Sequence, residues 1–149
     1  MGSLPHIAVV NGPSIGKLGT RQPGIYGTTT LEELGRSLQG RASELGLTVS
    51  LFQSDIEGEL VSAVNGASDT ASGLVINPAG YSHYSVAITD AMAAFRGPVA
   101  EVHISQVMSR EPFRRQLLTA TAADVLIAGA GTTGYLHALS ILKEILDGY

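Results

Sequence analysis

Five short runs rich in β-branched residues, each followed by a stretch of different patterning, constrain this chain more than any other feature. The runs are HIAVVN (His6–Asn11), TVSLFQS (Thr48–Ser54), GLVINP (Gly73–Pro78), PVAEVHIS (Pro98–Ser105) and DVLIAGAG (Asp124–Gly131). Between them lie TTLEELGRSLQGRASELG, DIEGELVSAVNGAS, SVAITDAMAAF and a polar stretch around Arg110. After the last run comes TTGYLHALSILKEILDG, whose apolar residues recur at helical spacing. The first helical stretch opens on Thr-Thr-Leu-Glu-Glu, a threonine cap with acids in the first turn.

Alternation of strands and helices implies βαβ units, and hence a parallel sheet covered on both faces. Five strands predict an α/β fold of three layers: a flavodoxin-like, doubly wound, five-stranded parallel sheet. The 149 residues read as one domain, 1–149, since a chain of that length buries about 68–70% of its unfolded surface. Such sheets bind ligands at the carboxyl ends of their strands. Asn11 ends the first run, Asn77 the third, and His103 and Ser105 the fourth. The loop LGTRQPGIYG (Leu18–Gly27) follows the first strand directly, so the candidate chemistry falls on one edge of the sheet.

Charge and composition exclude several classes. A net charge of -4 argues against a nucleic-acid backbone binder, which needs a basic stripe. The chain has no cysteine, which removes disulfides, thiol nucleophiles and Cys-ligated zinc. The N-terminal MGSLPHIAVVNG lacks a signal-peptide pattern, and no apolar run approaches the ~18 residues of a membrane span. A cytoplasmic protein, with neither membrane nor nucleic-acid partner, is expected.

Three motifs invite readings that their context denies. GAGTTG (Gly129–Gly134) fits G-x-G-x-x-G, but the further strand and downstream acid of a dinucleotide site are missing. A tight turn with close strand–helix packing is expected there instead. GPSIG (Gly12–Gly16) fits the nucleophile elbow G-x-S-x-G, which requires a helix straight after the serine. Here the next helical pattern starts only near Thr29. GPSIGKL falls one residue short of a P-loop and carries Leu18 where a magnesium-binding hydroxyl belongs.

What remains on the functional edge is Arg21 and Tyr26, Asn77 and His83, Glu101, His103 and Ser105, then Arg110 and Arg114. Singly, each has an ordinary explanation: a packing tyrosine, a core histidine, a solvated basic face. Together with their surroundings they form a pattern. The segments VVNGP, LGTRQPGIYG, FQSDIEGEL, VINPAGYSHYSVAITDA, VAEVHIS, SREPFR and GAGTTGYLHAL stand in an order and spacing that resembles the type II 3-dehydroquinate dehydratases along essentially the whole chain.

The resemblance implies a flavodoxin-like fold, trimers that commonly associate into dodecamers, and no metal or cofactor. It implies removal of water from the small cyclic carboxylate 3-dehydroquinate to give 3-dehydroshikimate, by anti elimination through an enolate. That chemistry explains why one loop carries both a cation and a phenol. A free phenol ionises near ~10, and a base serves best at neutral pH with a pKa near ~7. A guanidinium beside the phenol favours the charged form. Tyr26 is the expected base, with Arg21 and, second, Arg110 as its cationic neighbours. A loop that closes on substrate excludes water and strengthens that attraction.

His103 is the expected acid for the departing hydroxyl. Glu101 lies two residues away on the same strand and so faces the same side of the sheet, where it can orient and charge the imidazole. By resemblance Asn77 holds the leaving hydroxyl and helps grip the substrate carboxylate, which the Ile104 backbone and Ser105 hydroxyl also bind. His83 and Arg114 would hold ring hydroxyls, and Asp90 would reach a neighbouring subunit's site.

The sequence departs from the family in a few places. The usual N-G-P-N-L-N is NGPSIG, so Ser14 stands where an amide normally holds a water against the enolate oxygen, and Gly16 replaces a second asparagine. A serine can bond a water, but with shorter reach. Gln22 replaces an acid beside Arg21. The family's Asn-Val-His is Gln106-Val107-Met108, and its His-Ser-Tyr segment is replaced by QLLTA (Gln116–Ala120). Tyr26, Asn77 and His103 are intact. Besides a working dehydratase, the alternatives are a diverged paralogue acting on a related cyclic hydroxy-ketone or hydroxy acid, a serine hydrolase using Ser14, and a non-catalytic oligomer.

Overall fold

A computed structural model describes residues 2–148. Five strands, β1 (His6–Asn11), β2 (Thr48–Gln53), β3 (Gly73–Asn77), β4 (Val99–His103) and β5 (Val125–Ala128), form one sheet in the order β2-β1-β3-β4-β5. Every neighbouring pair is parallel. This is the expected doubly wound arrangement, and its strand order reverses between β1 and β3. Asn11 and Asn77, paired across that junction, end the two strands that flank it.

Alternation along the strands divides the core. Ile7 and Val9 face a layer built from α2 (Leu31–Leu45) and α5 (Thr133–Leu146), with Leu34, Leu38, Leu139 and Leu142 all buried. Ala8 and Val10 face the opposite layer of α3 (Glu57–Thr70) and α4 (Val86–Ala94), packed through Leu60, Val64, Ile88 and Met92. The period of two in a strand places successive side chains on opposite faces, so one sheet carries both cores. Thr30 caps α2 by accepting a hydrogen bond from the Glu33 N–H at 3.1 Å. Ser85 caps α4 through the Ile88 N–H at 3.0 Å.

Two expectations need correction, and the polar stretch around Arg110 gains a structure. Helical structure after β1 does not wait until Thr29: the loop contains a 3-10 turn at Ile15–Lys17 and a one-turn helix, α1 (Pro23–Tyr26), with Pro23 at its first position. Proline there loses no intrahelical bond, because that N–H is unpaired in any helix. The stretch around Arg110 forms three short 3-10 turns, Val107–Ser109, Pro112–Arg115 and Thr119–Ala122. It lacks the apolar periodicity that would seat a longer helix on the sheet. Strands β4 and β5 also stop earlier than their sequence runs; β5 ends at Ala128 because Gly129 turns with φ 86°.

Candidate active site

The carboxyl ends of β1, β3 and β4 open onto a cavity of about 180 Å³. Its walls bring together Arg21, Tyr26, Asn77, His103, Arg110 and Arg114, drawn from four separate segments. Ser14, His83, Ile104 and Ser105 also line it. A larger, more open groove of about 730 Å³ runs between β1, β2 and α3, but its walls are mainly apolar, with Phe52, Ile56, Ala63 and Ala67. Acid–base chemistry needs converging charges, and these lie in the smaller cavity.

Tyr26 is the last residue of α1 and is half-buried. Its hydroxyl accepts a hydrogen bond from Arg110 Nη1 at 2.7 Å, and the same nitrogen donates to Ser105 Oγ at 3.2 Å. Arg21 lies instead over the Tyr26 ring, with its guanidinium carbon 5.0 Å from the centroid. The order of the two cations is therefore the reverse of the sequence expectation: Arg110 holds the phenol oxygen and Arg21 stacks on the ring. A charge-assisted bond to an oxygen is directional and strong, so Arg110 is the cation that engages that atom directly.

His103 ends β4. Its Nε2 is 2.7 Å from Glu101 Oε2, and both residues are buried, Glu101 completely. The alternation of β4 sets this pairing, as residues two apart share a face. The second Glu101 oxygen accepts from the Thr119 hydroxyl at 2.5 Å. Nδ1 of His103 has no protein partner among the described residues and is left to the cavity that the ring lines. A carboxylate holding Nε2–H fixes the tautomer and presents Nδ1 as the exchanging atom.

Asn77 is oriented by two bonds. Its Oδ1 accepts from the Ala79 N–H at 3.0 Å, and its Nδ2 donates to the Tyr135 hydroxyl at 2.9 Å. The Tyr135 hydroxyl in turn donates to Asn11 Oδ1 at 2.6 Å. One N–H of Asn77 remains for a ligand. Tyr135 is completely buried, and burial pushes its hydroxyl well above the ordinary value of 10.0, so it stays neutral. Ala79 reaches its bond with φ 54°, a left-handed conformation unusual outside glycine. Gly12 allows β1 and β3 to close here: a Cβ on it would stand 2.5 Å from the Pro78 carbonyl oxygen.

Ser14 also adopts a left-handed φ of 68°, and its N–H donates to Asp55 Oδ1 at 2.9 Å. A Cβ at Gly16 would meet Gln53 Oε1 at 3.0 Å. The Gln53 amide therefore occupies the space beside residue 16, donating to the Gly12 carbonyl at 3.2 Å and to Asp55 at 3.1 Å. His83 Nδ1 lies 2.8 Å from the Gln116 carbonyl. Arg114 Nε donates to Glu111 Oε2 at 2.7 Å, and the same oxygen lies 3.6 Å from Arg110 Nε. The Glu111 carboxyl sits below its ordinary value of 4.5, held there first by a backbone hydrogen bond and then by Arg114. Gln106 caps the following 3-10 turn, and Met108 is exposed.

Asp90 is exposed on α4 and lies outside this cavity. The sequence placed Asn11 on the functional edge without a role, and gave none to Thr119, Tyr135 or Glu111. Asn11, Glu111 and Tyr135 each carried a signal, as they lie in VVNGP, SREPFR and GAGTTGYLHAL, segments of the resemblance; Thr119 lies in a segment that departs from it. Among the described residues no group of three or more His, Asp or Glu side chains is placed to hold a metal ion.

Residues 5–143 match the family described as dehydroquinase class II. The chain is 44% identical over 143 residues to a 3-dehydroquinate dehydratase of Halothermothrix orenii, covering 96% of this chain and 97% of that one. The chain belongs to the class II dehydroquinase family. A 3-dehydroquinate dehydratase of Salinispora arenicola is 48% identical over 133 residues, 89% of this chain and 93% of that one. The crystal structure of a type II dehydroquinase from Propionibacterium acnes superposes with a TM-score of 0.91 at 42% identity, covering 97% of this chain and 98% of that one. As a class II dehydroquinase fold, the chain places four segments of the sequence resemblance around one cavity: the β1 loop, the β3 end, the β4 end and the turns carrying Arg110 and Arg114.

Proposed function

We propose that the protein is a 3-dehydroquinate dehydratase, a cofactor-independent hydro-lyase that converts 3-dehydroquinate to 3-dehydroshikimate and water. The observation that carries the reading is the convergence of a guanidinium-bound phenol, Tyr26, and a carboxylate-paired imidazole, His103, on one small cavity in a chain of this family. Three guanidinium groups, Arg21, Arg110 and Arg114, give that cavity the charge to receive a small cyclic carboxylate.

In this reading the Tyr26 phenolate takes the proton alpha to the ketone, and Arg110 stabilises the phenolate before transfer. The electrons of the broken C–H bond form an enolate. They then return to form the ring double bond as the β-hydroxyl departs on the opposite face. His103 gives its Nδ1 proton to that hydroxyl, which leaves as water, and Glu101 stabilises the imidazolium before it does so. General acid–base groups of this kind contribute typically ~10²–10⁴-fold each. Asn77 offers its free N–H to the leaving hydroxyl or carboxylate, with Ile104 and Ser105 beside it; Arg114 and His83 hold ring hydroxyls.

Self-association as trimers, and further as dodecamers, belongs to the same proposal, with Asp90 reaching a neighbour's cavity. Its support is that Asp90 is exposed away from its own cavity, on a helix whose first residue, Val86, is exposed, as is Tyr84 just before it. No helix among the described residues is long and apolar enough to cross a membrane, and a cytoplasmic site of action is proposed with the function.

A diverged substrate is the second reading, favoured by Ser14, whose short side chain lines the cavity where the family usually has an amide. One experiment separates the two. Purified protein is given 3-dehydroquinate and the conjugated enone product is followed by ultraviolet absorbance. Turnover supports the dehydratase; a folded, inert protein overturns it and points to a related ring acid.

A further inference from the structure

The Glu101–His103 pair is joined by a third group that neither the sequence pattern nor the reaction scheme above uses. Thr119 opens the 3-10 turn Thr119–Ala122 and is completely buried. Its hydroxyl donates to Glu101 Oε1 at 2.5 Å, while Glu101 Oε2 meets His103 Nε2 at 2.7 Å. The three side chains form a line from a buried turn to the cavity wall. Thr119 lies within Gln116–Ala120, a stretch in which this sequence departs from the usual family segment.

We propose that Thr119 is a positioning residue for the acid step: its hydroxyl fixes the Glu101 carboxylate, and through it the ring of His103. The proposal rests on the dehydratase reading. The physical reason is one of satisfaction. A carboxylate with no solvent contact needs donors for both oxygens, since an unpaired buried acceptor is costly. His103 serves one oxygen and Thr119 the other. The donor on Oε1 keeps the carboxylate from rotating about its terminal bond, a torsion with only a broad preference of its own. It thereby keeps Oε2 on His103 Nε2, with the ring's Nδ1 edge toward the cavity. Without that donor the carboxylate is free to turn, the ring loses its fixed orientation, and proton delivery to the leaving hydroxyl falters. Proton abstraction by Tyr26 lies on a different segment with its own partner, Arg110, and is untouched.

The two half-reactions can be read separately. In deuterium oxide, nuclear magnetic resonance follows exchange of the substrate's alpha proton, which reports the base and enolate step, while ultraviolet absorbance follows dehydration. Thr119→Val keeps shape and removes the hydroxyl; Thr119→Ser keeps the hydroxyl. The expected result for Thr119→Val is a loss in kcat of about 10–100-fold, the size of effect seen when a partner that orients a functional histidine is removed, with KM little changed and exchange retained. Thr119→Ser recovers most of the loss. Parent-like dehydration by Thr119→Val overturns the inference, as does an equal fall of exchange and dehydration, or failure of serine to restore activity. A parent protein that neither exchanges nor dehydrates the substrate takes down the dehydratase reading itself, and the inference with it.

Discussion

At Tyr26 the hydroxyl has one strong partner, Arg110 Nη1 at 2.7 Å, and that guanidinium is itself tied to Ser105 and lies near Glu111. Glu111 is thus the residue that restrains the cationic side of the cavity, since it also bonds Arg114 at 2.7 Å. Its carboxyl is held below 4.5, first by a backbone hydrogen bond and then by Arg114. A carboxyl whose folded value is depressed contributes an interaction present above its unfolded value and lost as pH falls through the lower folded one. The Glu111–Arg114 bond should therefore be lost at a lower pH than the ordinary carboxylate value would give. A carbon-detected titration of the Glu111 side chain should give a midpoint below 4.5; a midpoint at or above that value would contradict the pairing. Nothing in the spacing of SREPFR announced this arrangement. The sequence pattern put Arg21 first beside Tyr26 because they share a loop, whereas hydrogen-bond geometry across the fold gives that place to Arg110.

The elements were more legible than the contacts between them. Strand identity followed from β-branched runs, and the pairing of Glu101 with His103 followed from the period of two, because both depend on local backbone geometry. The start of α2 was legible for the same reason: Thr30 and Glu33 form the ends of a capping pattern. Thr30→Ala should cost about 1 kcal/mol of stability, a fall in melting temperature of about 2–4 °C, with dehydratase turnover unchanged. An unchanged melting temperature in calorimetry would contradict the cap. The short 3-10 turns were not legible. Their backbone is set by what they pack against, and Thr119 in particular gains meaning only when its turn is folded so that it meets Glu101 of β4. The one-turn helix carrying Tyr26 was hidden likewise, by a Gly- and Pro-containing loop that reads as irregular.

Across the whole molecule, Tyr135 ties the C-terminal helix to the switch point of the sheet. Its hydroxyl joins Asn11 of β1 to Asn77 of β3, three elements separated by up to 124 positions in the chain. Tyr135→Phe leaves two buried amide groups short of a partner, at about 1–3 kcal/mol per unsatisfied group, and frees the Asn77 amide to turn. Lower stability and lower kcat should appear together, with denaturant melts and steady-state rates as the readouts. The buried phenol also sets a pH dependence. Its folded value is raised, so its contribution is complete below the unfolded value of 10.0 and is lost progressively as pH rises above it. The stability of the parent should fall above that pH, and Tyr135→Phe should fall less steeply; equal slopes would contradict the assignment. The most direct test of the central claim lies at the cavity itself: kcat for 3-dehydroquinate in the parent and in Tyr26→Phe, both shown to be folded. The account predicts turnover by the parent and a loss of at least about 10²-fold in the mutant, whereas a mutant that dehydrates the substrate at the parent's rate would show that Tyr26 is not the base.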